Sequence, residues 1–341
     1  MSALKRSRIS FLTFFAIGFT LLFAQPLNAY NSDGHRLIAL IAFDLMDEQV
    51  RAEMLRTLKA HPRYQEDFLD RMNRDRRIRN ASQSVKNRWL ISQAAVWPDL
   101  ARSQPNFHRS KWHYVNLPVF LPDQDESTEG IEYTEPKLTL DADEFDSKNL
   151  NVIQAIQNST RILESDADDS EKAVHICWIL HLVGDLHQPC HSAALFTPNL
   201  FPKGDKGGNG TRTTGGSLHK VWDRILGNGR TFNRLRRDAS DLLSDDELND
   251  CGNDCAMNLD PVVWMNESHQ LAKDVTYSQT IIEAVAEAEE SEDLNKIELS
   301  QDYFDEAAAV SQKRAVMAGF RLSTFFEDVI PHEHDEDEEE E

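Results

Sequence analysis

Residues 178–191 read Trp178-Ile179-Leu180-His181-Leu182-Val183-Gly184-Asp185-Leu186-His187-Gln188-Pro189-Cys190-His191. His181 and Asp185 stand four residues apart, so on a helix they share one face, flanked by Ile179, Leu180, Leu182 and Val183. A carboxylate buried among imidazoles is costly unless something cationic neutralises it, and this pattern therefore points to a metal ion. Pro189 lacks an N–H and disfavours helix in the residue before it. The helix is expected to end near Gln188, leaving His191 off its axis to serve a different metal from His181. His187 lies off the His181–Asp185 face and is read as structural or as a partner to the ligands.

The pairing recurs downstream. Ser217-Leu218-His219-Lys220-Val221-Trp222-Asp223 repeats His and Asp at i, i+4, with Ser217 placed to cap the helix. Two separate apolar, Trp-containing faces bearing the same pair make chance a weak explanation. Upstream, Ile91-Ser92-Gln93-Ala94-Ala95-Val96-Trp97-Pro98-Asp99 predicts a helix that breaks at its proline. Lys111-Trp112-His113-Tyr114-Val115-Asn116-Leu117-Pro118 alternates as a short extended segment would, with His113 and Val115 on one face. Residues 64–86 are highly charged, and Arg71, Arg74, Arg76, Arg77 and Arg79 form their basic cluster. That stretch reads as a solvated helix face and loop; contact with the far end of an anionic ligand is the second reading.

Cap-type residues at 31–34 precede an apolar stripe through Leu37, Ile38, Leu40, Ile41 and Leu45. Further helices are expected at 47–60, 149–165, 170–186, 231–243, 261–277 and 300–329. Residues 117–137, rich in proline and acids, and the Gly-rich 201–210 are expected to be loops. The second matches no phosphate-binding loop, because no strand precedes it and no GK[ST] ends it. With no convincing alternating strands, residues 30–330 read as all-α, a single mainly helical domain.

The chain opens with Lys5, Arg6 and Arg8, an apolar run at 9–24 and then Leu27-Asn28-Ala29. That succession reads as a secretory signal peptide over 1–29, which would make Tyr30 the mature first residue and the protein secreted or periplasmic. The apolar run is shorter than the about 20 residues that a membrane span needs, and no later segment spans. In an exported chain the four cysteines permit disulfides. Cys251 and Cys255 bracket Gly252-Asn253-Asp254, which reads as a turn closed by a bridge; Cys177 and Cys190 lie too far apart along a helical run to pair. Net charge is −22, and the last eleven residues carry eight acids, so the remainder is still at −14. A blanket electrostatic grip on a polyphosphate backbone is thereby excluded, and metal ions must supply positive charge locally for an anionic substrate. The tail at 331–341 reads as a disordered acidic end.

Together these residues resemble the S1/P1 nuclease family, the zinc-dependent single-strand nucleases and 3′-nucleotidases that share a fold with bacterial zinc phospholipase C. The resemblance spans residues 30–329. It implies that the backbone amine and carbonyl of Tyr30 bind zinc together with His35 and a shared Asp185. It further implies one zinc held by Asp99, His113, His181 and Asp185, and another by His191, His219 and Asp223. All nine ligand positions are filled in order, and Asp99 and Asp185 are the implied catalytic carboxylates. Tyr114 is expected to stack on a base and Asn116 to contact its edge. Three departures stand out. Tyr30 replaces a Trp, Asn116 replaces an Asp, and residues 117–126 lack the family's cation, for which Lys206, Arg212, Lys220 or Arg224 are the candidate substitutes.

The implied activity is phosphodiesterase and 3′-phosphomonoesterase, with three Zn2+, on single-stranded RNA or DNA and 3′-nucleotides, giving 5′-phosphates. The alternatives are a zinc phospholipase C and a non-catalytic periplasmic zinc-binding protein. No protein partner is predicted.

Overall fold

Helices dominate the chain from end to end in a computed structural model that describes residues 30–141 and 146–330. The expected signal peptide at 1–29 and acidic tail at 331–341 lie outside the described residues. The order begins α1 (Ser32–Leu45), α2 (Glu48–Leu58), a π-helical turn at Tyr64–Leu69, α3 (Asp70–Arg74), α4 (Arg76–Arg79) and α5 (Gln83–Leu100). A 3-10 turn at Ser110–His113 leads to β1 (Leu117–Phe120), then α6 (Val152–Glu164) and α7 (Asp169–Leu186). A 3-10 turn at Pro189–His191, β2 (Ala193–Phe196), β3 (Arg212–Thr213), β4 (Gly216–Ser217) and α8 (Leu218–Arg224) follow. The chain continues through α9 (Phe232–Leu243), α10 (Asp246–Ala256), α11 (Pro261–Leu271), α12 (Gln279–Ala288) and α13 (Gln301–Val329). The fold class is all-α, and among the described residues the strands make two two-stranded sheets.

The organising helix is α7. Asp168 caps it by accepting the Glu171 N–H, and every residue from Ile176 to Leu186 is buried. A helix apolar all round belongs in a core, and α1, α2, α5, α6 and α13 pack around this one. Gly184 lets α1 come close, since a Cβ there would lie 2.9 Å from His35 Nδ1. β1 pairs with β2 in parallel, Leu117 opposite Ala193, which ties the segment after His113 to the segment after His191.

Several local expectations fail for physical reasons. Pro98 does not break its helix: α5 runs through it to Leu100. The proline removes one intrahelical N–H in the last turns, while the fully buried Trp97 holds that end by donating its Nε1–H to Asp67 Oδ2 at 3.1 Å. His113 lies in a 3-10 turn rather than an extended strand, and extended backbone begins at Tyr114. Cys251 and Cys255 do not bracket a turn. Asp245 caps α10, which carries both residues, and all four cysteines are free. Thiols four apart on a helix project side by side from successive turns, which is not disulfide geometry, and Cys255 Sγ–H donates to the Gly252 carbonyl at 3.2 Å. Helices α10 and α12 have no counterpart in the sequence reading, and the predicted helix over 261–277 is α11 followed by a π-helical turn at Ala272–Thr276.

Candidate metal centre

The centre is assembled from five separated stretches. α1 supplies His35, α5 Asp99, the 3-10 turn His113, α7 His181 and Asp185, its sequel His191, and α8 His219 and Asp223. All are buried except Asp99, which is half-buried. Asp185 sits in the middle, wholly buried. Its Oδ1 faces His35 Nε2 at 3.2 Å, and its Oδ2 faces His113 Nδ1 at 2.9 Å and His181 Nε2 at 3.3 Å. His35 and His181 stack, with ring centroids 3.9 Å apart. Asp99 Oδ1 reaches His181 Nε2 at 3.8 Å.

Ligand-type atoms gather in three groups, each within 4.8 Å: His35, Asp99 and His181; His113, His181 and Asp185; and His191, His219 and Asp223. The third group brings together the three residues that the resemblance assigns to one ion. The first two divide the residues differently: Asp99 falls with His35 and His181 rather than with His113 and Asp185. Tyr30 is wholly buried beside His35, with ring centroids 6.4 Å apart, and the next residue's N–H donates to the Asp223 carbonyl at 3.0 Å.

Orientation is set by backbone. Nδ1–H of His181 donates to the Ala95 carbonyl at 2.8 Å, that of His191 to the His113 carbonyl at 2.5 Å and that of His219 to the Gly207 carbonyl at 2.7 Å. Each such bond fixes the tautomer and turns the Nε2 lone pair inward. His35 Nδ1 and Nε2, His113 Nε2, His191 Nε2 and Asp185 Oδ1 are buried without a hydrogen-bond partner. Burial first, and neighbouring charge second, pushes the imidazoles of His35, His113 and His191 well below their ordinary range. Burial first, then the carboxylates around it, pushes Asp185 well above the carboxylate range, and burial does the same to Asp223. Neutral imidazoles with inward lone pairs around acids that resist ionisation make a donor set for which a divalent cation is the missing partner. Nitrogen and carboxylate ligands of this kind suit zinc.

Three contributors escape sequence reasoning. Arg102, three residues after Asp99, places Nη2 2.6 Å from Asp99 Oδ1 and is the cation at the centre; Lys206, Arg212, Lys220 and Arg224 are all exposed. Gln188 donates from Nε2 to Asp223 Oδ1 at 3.0 Å, while its Oε1 accepts the Cys190 N–H. Asp205 is wholly buried in the Gly-rich loop and accepts from Leu195 N, Gly208 N, Thr211 Oγ1 and Tyr277 Oη. It pins the loop whose Gly207 carbonyl orients His219. Gly207 has φ 62°, and a Cβ on it would lie 2.3 Å from the Cys190 carbonyl, so only glycine fits. The one sequence signal was the glycine density itself. Tyr114 and Asn116 are half-buried on the approach from His113 to β1, and the Tyr114 carbonyl accepts the Val152 N–H at 3.3 Å.

The model of the S1/P1 nuclease family matches residues 30–331. Nuclease S1 of Aspergillus oryzae is 26% identical over 195 residues, which are 51% of this chain and 61% of that enzyme. Endonuclease 1 of Arabidopsis thaliana is 25% identical over 260 residues, 72% of this chain and 76% of that protein. The chain thus spans about three fifths of the length of nuclease S1.

Proposed function

The chain belongs to the S1/P1 nuclease family, and on that premise we propose that it is a zinc-dependent endonuclease and 3′-nucleotidase acting on single-stranded nucleic acid. The observation that carries this is the donor set around Asp185: buried, rich in inward lone pairs and short of positive charge. Three zinc ions are proposed. Asp99, His113, His181 and Asp185 would hold one, His191, His219 and Asp223 a second, and the Tyr30 backbone, His35 and Asp185 a third. Bound zinc would supply Lewis acidity that activates water near neutral pH, and the positive charge that an acidic body lacks.

The remaining roles fall to the chain itself. Asp185, with an oxygen toward each neighbouring group, holds the two ligand sets in register. Arg102 orients Asp99, and presents a guanidinium where a phosphate would enter. Gln188 fixes the rotamer of Asp223 with its Nε2 and the turn that carries His191 with its Oε1. Tyr114 offers a ring for base stacking, and Asn116 an amide that both donates and accepts, which relaxes base preference. Water adds to phosphorus, the bond to the 3′ oxygen breaks, and the products are a 3′-hydroxyl and a 5′-phosphate; a 3′-nucleotide yields nucleoside and phosphate.

The test is one zinc-loaded sample assayed on denatured DNA, RNA, 3′-AMP and phosphatidylcholine micelles, with zinc counted per chain. Hydrolysis of strands and 3′-AMP with three zinc ions is expected. Preference for phosphatidylcholine would make it a phospholipase C, and bound zinc with no hydrolysis a zinc carrier.

A further inference from the structure

The basic cluster singled out in the sequence is not absorbed by the centre. Arg71, Arg74, Arg76, Arg77 and Arg79 are all exposed on α3 and α4, while Met72 and Ile78 between them are buried in the main core. The segment is therefore docked by its apolar residues with its arginines outward. Some exposed cations elsewhere meet carboxylates: Arg56 pairs with Glu53 and Asp169, Arg234 with Asp238 and Lys203 with Glu132. Among the described residues none of these five arginines has a carboxylate within ion-pair distance. Asp75, in their midst, accepts from the Arg77 N–H as the cap of α4. In a chain with 58 acids and 36 bases, these five neighbouring arginines make one strip of positive charge that no carboxylate neutralises.

The cluster is joined to the mouth of the centre. Asp67, within the π-helical turn, accepts from Trp97 Nε1 at 3.1 Å and Gln104 Nε2 at 3.3 Å, residues that flank Asp99 and Arg102. From there α3 and α4 lead back to the start of α5. Gln83 and Asp99 bound a rise of about 24 Å along that helix. Arg36, next to His35 on α1, bonds to Ser92 Oγ at 3.1 Å and Gln93 Oε1 at 2.6 Å, and Gln93 Nε2 donates to the Asp67 carbonyl at 3.2 Å. Asp67 thus ties the segment that carries the cluster to the stretch that carries Asp99 and Arg102.

We propose that Arg71, Arg74, Arg76, Arg77 and Arg79 form a track for the phosphate backbone of a single-stranded nucleic acid, holding it several phosphates away from the bond cut at the metal centre. The proposal rests on the nuclease reading. A flexible strand fits better than an anionic membrane because the exposed face offers no apolar side chain for insertion, Met72 and Ile78 being buried. Arginine also suits phosphate through its planar fork of donors. The track explains how an acidic protein engages a long polyanion: grip is confined to one strip.

The experiment uses the zinc-loaded full chain with Arg74, Arg76 and Arg77 each changed to Gln, and a control with Lys273, Lys296 and Lys313, all exposed, changed to Gln. The ratio of kcat/KM on a 30-nucleotide strand to that on 3′-AMP should fall at least tenfold in the arginine variant and stay within twofold in the control. Strand binding by fluorescence anisotropy in the Asp185→Asn background should lose about 2 from the slope of log K against log salt, at about 0.7 per lost contact. An unchanged ratio and slope would overturn the track, as would an equal effect in the lysine control. Loss of binding to phosphatidylserine vesicles with an unchanged strand slope would make the strip a membrane contact. A wild-type protein that cleaves neither substrate defeats the nuclease reading alone, and the anisotropy slope still decides the track.

Discussion

Two buried polar clusters meet at the C-terminal half of α7. The first is built on His181 and Asp185, facing α1 and α5. The second is built on His187, the residue that caps α7, facing α11 and α13. In the second, Glu267 accepts from Arg314 and twice from Arg321, the latter at 2.7 Å each. Arg314 also donates to the Trp264 carbonyl and Ser268 Oγ, and His187 Nδ1–H donates to the Val183 carbonyl while its Nε2 accepts from Arg321 at 2.9 Å. Every strong donor there meets an acceptor. In the first, lone pairs face lone pairs and carboxylate oxygens face neutral imidazoles. The contrast separates a structural network from a ligand site: both are buried and histidine-bearing, and only the unclosed one calls for a cation.

The largest effect that can break this contrast is at Asp185. Asp185→Asn removes one of two oxygens facing different ligand groups, so zinc content should fall by more than one equivalent with the fold retained. Losing several kcal/mol of metal-borne transition-state stabilisation corresponds to a drop in kcat/KM on the order of 10³-fold. Three retained zinc ions with near-normal turnover would show that the open cluster was not a metal site.

The closed network should answer with stability instead. Glu267→Ala leaves Arg314 and Arg321 buried without their shared carboxylate and should cost about 3–5 kcal/mol in urea unfolding, with zinc per folded chain unchanged. Its pH dependence has a definite sign. Burial by itself would raise the Glu267 pKa, but the two arginines outweigh it and the folded value is lowered. The stabilisation is therefore complete above the ordinary glutamate range and is lost only as pH falls through the lowered folded value. Glu267→Gln should flatten that acid limb. An unaltered limb would show that the arginines are paid for elsewhere in the core.

What could be read from sequence follows the reach of each interaction. His181 and Asp185, and His219 and Asp223, are four residues apart, and helical periodicity alone puts each pair on one face. His35, Asp99 and His113 carried no such local sign and entered through resemblance, because only the packing of α1, α5 and the 3-10 turn at Ser110–His113 on α7 brings them near. Gln188 and Asp205 were missed for the same reason, since Gln188 meets Asp223 and Asp205 meets Tyr277 across long stretches of chain, whereas Arg102 meets Asp99 only three residues away, beyond a proline that was expected to break the helix. The same limit hid the parallel pairing of β1 with β2. Pro98 and the Cys251–Cys255 segment misled in the opposite way, since local rules for proline and turn residues yielded to a buried Trp97 and a well-capped α10.

His187 gives the smallest effect and the sharpest test of the distinction, because it stands six residues from His181 and four from His191 in the motif that decides the fold. His187→Gln keeps a side-chain carbonyl able to accept from Arg321, while Arg321 retains both bonds to Glu267. The loss is part of one charge-assisted hydrogen bond and the packing of the ring against Trp264, whose centroid lies 5.5 Å away. About 1–2 kcal/mol of stability should go, with zinc stoichiometry and the KM for 3′-AMP unchanged. Loss of a whole equivalent of zinc would make His187 a ligand through a rearranged α7 terminus, and closure of hydrogen bonds would then no longer distinguish the two clusters.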